Sequence, residues 1–284
     1  MKAVIALSGL AGFILFGPPL LHFHNAKHAR IVEVKTHVAT HVLEDVQDQC
    51  RFGADRNLTA AVGAGDLLRL SAGSGSLEVV GVNGLTEVRA SARACASHEE
   101  FLDELQLTSA RDGSTLRIET RYPDWGDQGG WGQRYARLDL RLEVPEGMMA
   151  DIRDSSGELT VANLGDLVID DSSGEIEVEG IRGSVRINDN SGEITVSDVS
   201  GDVEIEDGSG EIDVSAVGGT LTIDDGSGEI NVREVGGTVK VVRDGSGSIE
   251  VDGVGGDFIV QRDGSGSIDF RNVTGTVDVP RKRR

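Results

Sequence analysis

From Ala150 to Pro280, aliphatic and polar residues alternate in short paired runs, and glycines punctuate every pair. The glycines of successive Ser-Gly pairs are Gly157, Gly174, Gly192, Gly210, Gly228, Gly247 and Gly266, at spacings of 17, 18, 18, 18, 19 and 19. Two positions after each stands Leu159, Ile176, Ile194, Ile212, Ile230, Ile249 or Ile268. Four after it stands a valine in every repeat but the last, which has Phe270. Seven after it come Leu164, Ile181, Val199, Val217, Val235, Val254 and Val273. A second alternating run precedes the pair, as in Val185 and Ile187, Val203 and Ile205, Leu221 and Ile223. Alternation with period two is the signature of a strand with one buried face. Each repeat therefore predicts two short strands separated by glycine turns. Strands this short cannot bury an apolar face alone, but stacked coils can, with equivalent aliphatic residues forming internal ladders and backbones pairing in parallel at about 4.8 Å per coil. The expected fold is all-β: a single-stranded parallel β-solenoid (β-helix) with coils of about 18 residues. A propeller, built from antiparallel blades at a period of about 40 or more, does not fit.

The same pattern occurs once earlier, in "LRLSAGSGSLEVVGVNG", with Gly75 as reference, Leu68 and Leu70 before it, and Leu77, Val79 and Val82 after it. This divides the chain into an apolar leader or anchor (1–30), a linker (31–54), an irregular N-terminal part of the solenoid (55–149), the regular repeats (150–280) and a basic tail (281–284). Within the irregular part, "STLRIETR" and "ARLDLRLEVP" predict strands and "SHEEFLDELQL" a short helical turn. The uncharged run Ala3–Leu21 after Lys2 predicts either an export signal or a membrane anchor; the sequence leaves the two open. Either way the expected location is outside the cytoplasm, in the periplasm or cell envelope. Cys50 and Cys95 are the only cysteines, and in an exported chain an even count makes them a disulfide candidate.

The formal charge of −21 changes the list of partners. Nucleic acid is excluded, because phosphate recognition needs a basic face and the only basic cluster is Arg281–Arg284. An envelope protein or a glycan remains, together with membrane association through the N-terminal segment; the oligomeric state is open.

Stacking also aligns polar residues. Asp154, Asp171, Asp189, Asp207, Asp225, Asp244 and Asp263 stand three before the reference glycines, and Glu158, Glu175, Glu193, Glu211 and Glu229 one after. Like charges at this spacing repel by on the order of 1 kcal/mol per neighbour in water. Turn chemistry accounts for the Asp, which accepts backbone N–H groups two residues on; a ridge of shared calcium ions is the alternative. The string "DDGSGEINVREVGG" imitates an EF-hand loop. With Gly228 as its sixth residue, however, the first position is Ile223, where a carboxylate is required. No metal ligand set and no cofactor is predicted. From Ala150 on there is no His, Cys, Tyr or Trp, and the acidic pairs recur in every coil, so no catalytic site is expected. His37 and His41 have helical spacing but no third ligand nearby.

The strongest interruption is "YPDWGDQGGWGQRY", which holds Tyr122, Trp125, Trp131 and Tyr135. It is either a loop folded over the solenoid or an aromatic patch for a sugar or protein partner, and these four are the candidate binding residues. At the far end, Pro280 and four basic residues follow the last strand, a pattern that discourages edge-to-edge growth.

A leader, an irregular first half, then "LRLEVPEGMMADIRDSSGELTV" running into Ser-Gly-x-Ile-x-Val repeats resembles the bacterial adhesin-like family of unknown function, DUF4097, with its LiaG-like head domain. "CRFGADRNL" and "ARACASHEEFLDEL" are similar to its proteobacterial envelope members. The resemblance implies a β-solenoid in an exported or membrane-anchored protein and brings no catalytic residues. The expected function is a non-enzymatic structural or adhesin-like interaction module of the envelope, with a carbohydrate- or calcium-binding module as the alternative.

Overall fold

In each repeat the two alternating runs form two strands, and the strands of successive repeats stack into two facing sheets. The computed structural model describes residues 50–124 and 134–280. The leader, the linker up to residue 49, Trp125, Trp131 and the basic tail lie outside the described residues.

The chain enters through β1 (Phe52–Ala61), β2 (Leu67–Ser71) and β3 (Leu77–Val82). It leaves the repeat for β4 (Glu87–Ala96), helix α1 (Glu99–Glu104), β5 (Gln106–Asp112), β6 (Thr115–Arg121) and β7 (Ala136–Pro145). The regular coils follow: β8 (Met149–Arg153), β9 (Leu159–Ala162), β10 (Leu167–Asp170), β11 (Ile176–Ile181), β12 (Val185–Asp189), β13 (Ile194–Val199) and β14 (Val203–Asp207). Then come β15 (Ile212–Val217), β16 (Leu221–Asp225), β17 (Ile230–Val235), β18 (Val239–Arg243), β19 (Ile249–Val254), β20 (Phe258–Val260), β21 (Ile268–Val273) and β22 (Val277–Asp278).

Each sheet has eleven strands. One runs β1-β4-β7-β3-β9 and then through the odd-numbered strands to β21; the other runs β22 back through the even-numbered strands to β8, β2, β6 and β5. Pairing along the coils is parallel and keeps the sequence register. Ile176, Ile194, Ile212, Ile230, Ile249 and Ile268 are successive partners, as are Val178, Val196, Val214, Val232, Val251 and Phe270. The early repeat joins the stack directly, with Leu77 opposite Leu159 and Leu70 opposite Ile152. These ladders are the core: Ile176, Ile194, Ile212, Ile230 and Ile249 are fully buried. Each contributes on the order of 1.5–3 kcal/mol by leaving water.

Two corners make so tight a coil close. At Gly174 (φ +141) and Gly192 (φ +149) a Cβ would land on the carbonyl oxygen of the reference glycine one coil earlier. The backbones touch there, and only glycine fits. The second corner falls six residues after the reference glycine. It is left-handed at Asn163, Asp198, Ala216, Glu234 and Asn272, with φ of 54 to 60, and also at Gly180 and Gly253.

The N-terminal end of the stack is built differently. Strand β4 runs antiparallel between β1 and β7, and β5 folds back antiparallel on β6. The parallel edges of the coils are thereby covered by antiparallel strands. Helix α1 connects the two sheets on this side, and Arg56 donates to the carbonyls of Leu102 (2.8 Å) and Leu105 (3.1 Å). The Cys50–Cys95 disulfide ties the start of β1 to the end of β4, with Cα atoms 5.2 Å apart.

Candidate functional site

Two columns of acidic residues run along the repeat. In β12, β14 and β16 the last residue is Asp189, Asp207 or Asp225, and it lies in phase with two core residues such as Val185 and Ile187. Alternate side chains of a strand share a face, so the aspartate follows the valine and isoleucine into the coil. Asp225 is fully buried, and Asp154, Asp171, Asp189, Asp207 and Asp244 are each at most 6% exposed. Asp189, Asp207 and Asp225 are in register, and Asp244 bridges to Asp263.

Turn chemistry holds one oxygen of these groups. The Ser209 N–H donates to Asp207 Oδ1 (3.2 Å) and the Ser227 N–H to Asp225 Oδ1 (3.0 Å). No N–H donates to the second oxygen of either in good geometry, nor to either oxygen of Asp154, Asp171, Asp189 or Asp244; the carboxyls of Asp225 and Asp244 lie within hydrogen-bonding reach of each other. Burial, reinforced by the neighbouring Asp171, pushes the Asp154 carboxyl up to about 7. Burial and then the Asp207 charge push Asp225 to about 7. Asp189 rises to about 6 from burial and the charge of Asp171. Asp171, Asp207 and Asp244 are also raised, again chiefly by burial, although turn N–H groups pull the other way. No arginine or lysine among the described residues pairs with this column. Protonation would relieve a repulsion that no salt bridge among the described residues offsets. Among the described residues, no group of three or more His, Cys, Asp or Glu side chains is arranged to hold a metal ion.

The second column faces water. Glu158, Glu175, Glu193, Glu211 and Glu229 are all exposed. The carboxyl of Glu211 is raised first by Asp213 and also by Glu229 and Glu193; its one side-chain hydrogen bond is from Asn231 Nδ2 (3.1 Å). Beside the column, Glu177 is raised by partial burial and by Glu179, Glu175 and Glu158. The outer face of the even-numbered sheet differs, because arginines neutralise it. Arg186 bridges Glu204 (2.8 Å) and Glu206 (3.0 Å), and Arg243 bridges Asp224 (2.7 Å). Among the described residues no arginine or lysine forms an ion pair with the glutamate column.

The aromatic segment leaves and rejoins the solenoid at fixed points. The Tyr122 hydroxyl donates to the Ser74 carbonyl (2.8 Å), and burial pushes its ionisation up to about 12. The Tyr135 hydroxyl accepts the Arg51 N–H (3.0 Å), while its backbone N–H donates to Ser97 Oγ (3.1 Å). Both tyrosines thus anchor the ends of the segment, one at the first Ser-Gly turn and one beside the disulfide strand. Trp125 and Trp131 lie outside the described residues. His98 stacks edge-on against Phe101, with centroids 5.1 Å apart, and its Nδ1 lies 2.9 Å from Ser97 Oγ. Cys95 is in the disulfide and offers no thiol nucleophile.

The inward phase of the aspartates is the part of this arrangement that the sequence reading misses. Its signal is present there: positions seven, five and three before the reference glycine are separated by two, so they share a face.

The family described as Toastrack DUF4097 matches residues 86–271. Among solved structures, a putative lipid binding protein from Parabacteroides distasonis is 16% identical, with 79% of this chain and 96% of that one covered and a TM-score of 0.48. A putative adhesin from Bacteroides fragilis is 14% identical over 81% of this chain and 98% of that one, with a TM-score of 0.42. A putative cell adhesion protein from Clostridium sporogenes is 11% identical over 81% and 100%, with a TM-score of 0.29. No curated protein matches the chain.

Proposed function

The chain belongs to the Toastrack DUF4097 family, and from that premise we propose that it is a non-enzymatic β-solenoid of the bacterial cell envelope, exported to the periplasm or held at the membrane by its N-terminal segment, that serves as a structural or adhesin-like interaction module. The observation that carries this reading is the sorting of acidic residues. The repeat turns Asp154, Asp171, Asp189, Asp207, Asp225 and Asp244 into the coil, while it repeats Glu158, Glu175, Glu193, Glu211 and Glu229 along one exposed edge. A column with a pitch of about 4.8 Å presents the same group to a partner many times over. That suits a repetitive or extended ligand rather than a single small substrate. Its charge selects a partner rich in cations or hydrogen-bond donors. Affinity capture from envelope fractions tests the reading. The intact protein should retain a partner that is released by raised salt; capture that is indifferent to salt, or none at all, would sink the proposal.

The alternative is a carbohydrate- or calcium-binding module. The oxygens of Asp189 and Asp207 to which no N–H donates in good geometry favour its calcium form, and Trp125 and Trp131 are the residues for its carbohydrate form. A calcium titration of the melting temperature, with Asp207→Asn/Asp225→Asn as control, and a glycan array with Trp125→Ala/Trp131→Ala as control, decide it. A calcium shift lost in the aspartate variant, or glycan signal lost in the tryptophan variant, would favour this reading over the first.

A further inference from the structure

The N-terminal end of the even-numbered sheet brings together two arginines that are far apart in the sequence. Leu68 and Leu70 of β2 and Leu116 and Ile118 of β6 are buried in the core, so Arg69 and Arg117 between them face outward. The parallel register sets Arg69 directly beside Arg117, on strands about 4.8 Å apart. Among the described residues one carboxylate pairs with them: Asp151, on the other side of Arg69, accepts from Arg69 Nε at 2.8 Å. Arg117 forms no ion pair among the described residues, and Glu119 on the same face of its own strand pairs with neither arginine. The Arg117 Nε is buried and has no hydrogen-bond partner. Buried donors rarely lack an acceptor, and this chain has 48 Asp and Glu against 27 Lys and Arg. Farther along the same face the arginines have their acids: Arg153 meets Asp170, and Arg186 meets Glu204 and Glu206. Beside Arg69 a guanidinium is left over.

We propose that Arg69 and Arg117 form a binding site for a terminal phosphate group, either free phosphate or a phosphate monoester. One guanidinium satisfies a carboxylate through two parallel hydrogen bonds. A terminal phosphate has more oxygens and up to two charges, and two guanidiniums side by side match it with their planar forks. Such a ligand would also supply the acceptor that the Arg117 side chain lacks. One flank of the site is apolar. Val168 follows Asp151 in the row and is 38% exposed, and the half-buried Leu67 and Met149 lie two residues before Arg69 and Asp151 on the same face. A terminal phosphate reaches such a site from solution or on a lipid headgroup, and the chemistry that recognises it is the same. One phosphate is no footprint for a nucleic acid, whose binding neutralises many. The site lies on the other sheet from the strands that follow the glutamates, so it stands or falls apart from the partner proposed for that column.

Titration of the full chain in mild detergent with inorganic phosphate, and with glycerol 3-phosphate as the deacylated headgroup of phosphatidic acid, tests this. The readout is the NMR signal of the Arg117 Nε–H, which Arg117→Lys identifies by removing it. The signal should shift and saturate, while acetate at matched ionic strength should leave it in place. Arg69→Gln should weaken the response about tenfold or more, and Arg69→Lys, which keeps the charge without the fork, by less. Arg243→Gln breaks the pair with Asp224 farther along the same face and should change nothing. A response to inorganic phosphate alone assigns the site to free phosphate; a response to glycerol 3-phosphate assigns it to an esterified phosphate of the headgroup kind. The proposal is overturned if neither probe moves the signal, if acetate moves it as strongly, or if folded Arg69→Gln and Arg69→Lys chains respond as wild type does.

Discussion

Asp225 stands directly over Asp207 in the parallel register, both carboxyls inside the coil, and the charge of Asp207 adds to burial in lifting Asp225 to about 7. A carboxyl whose folded value lies above its unfolded value of about 3.9 binds protons more tightly in the folded state. Stability from this source is full below about pH 4 and is lost as pH rises through the folded values, near 6 for Asp189 and 7 for Asp154 and Asp225. For each group, every tenfold gain in proton affinity on folding corresponds to a loss of about 1.4 kcal/mol once the proton has left. Melting temperature should therefore fall between pH 5 and pH 8. Asp207→Asn/Asp225→Asn keeps an acceptor for the Ser209 and Ser227 N–H groups and removes two charges. It should melt higher than wild type at pH 8 and with a shallower pH dependence. A melting temperature that rises from pH 5 to pH 8 would count against a proton-holding column.

Gly192→Ala would drive a methyl group into the Gly174 carbonyl at a corner where the backbones already touch. Neither side can retreat, because each is a rung of the stack. The substitution should cost more than about 3 kcal/mol, read as a lowered urea midpoint and as loss of amide protection in the adjacent coils. Unchanged protection in β11 and β13 would refute the close approach.

Ala216 occupies the left-handed corner at φ 55, and its methyl group can make no hydrogen bond to offset the strain. A β-carbon in that region costs on the order of 1 kcal/mol. Ala216→Gly should therefore be neutral or stabilising by up to about 1 kcal/mol, opposite in sign to glycine substitution at a strand position of ordinary extended conformation. Chemical denaturation of the two proteins side by side checks this.

The disulfide joins Cys50 and Cys95, which are 45 residues apart in sequence. On the chain-entropy account it stabilises by about 4 kcal/mol. Reduction, or Cys50→Ala/Cys95→Ala, should lower the melting temperature and release protection first in β1 and β4, leaving β11 to β19 protected. Uniform loss along the stack would show that the N-terminal strands and the coils unfold as one unit.

The regular coils are legible in the sequence because their core is a one-dimensional pattern. Ile176, Ile194 and Ile212 meet in the structure simply because they meet in the alignment of the repeat with itself. The same counting places Gly75 under Gly157. The antiparallel strands β4 and β5 are not legible. The buried side of β4 is largely alanine (Ala90, Ala92, Ala94), which alternates with polar residues too weakly to stand out, and its partners are set by long-range packing. The left-handed corner is hidden because seven different coils fill it with Asn, Gly, Asp, Ala and Glu, so no residue type marks it. The anchoring of Tyr122 to Ser74 likewise depends on tertiary contact, not on sequence spacing.

The proposed function assigns partner binding to the outward glutamate column and none to the inward aspartate column. One paired measurement tests this division: envelope capture and melting at pH 8, made on the same preparations of Glu175→Gln/Glu193→Gln/Glu211→Gln and of Asp189→Asn/Asp207→Asn/Asp225→Asn. The glutamate variant should lose the captured partner and melt within a few degrees of wild type. The aspartate variant should keep the partner and melt higher. Capture that survives loss of the glutamates, or disappears with the aspartates in a folded protein, would contradict the division.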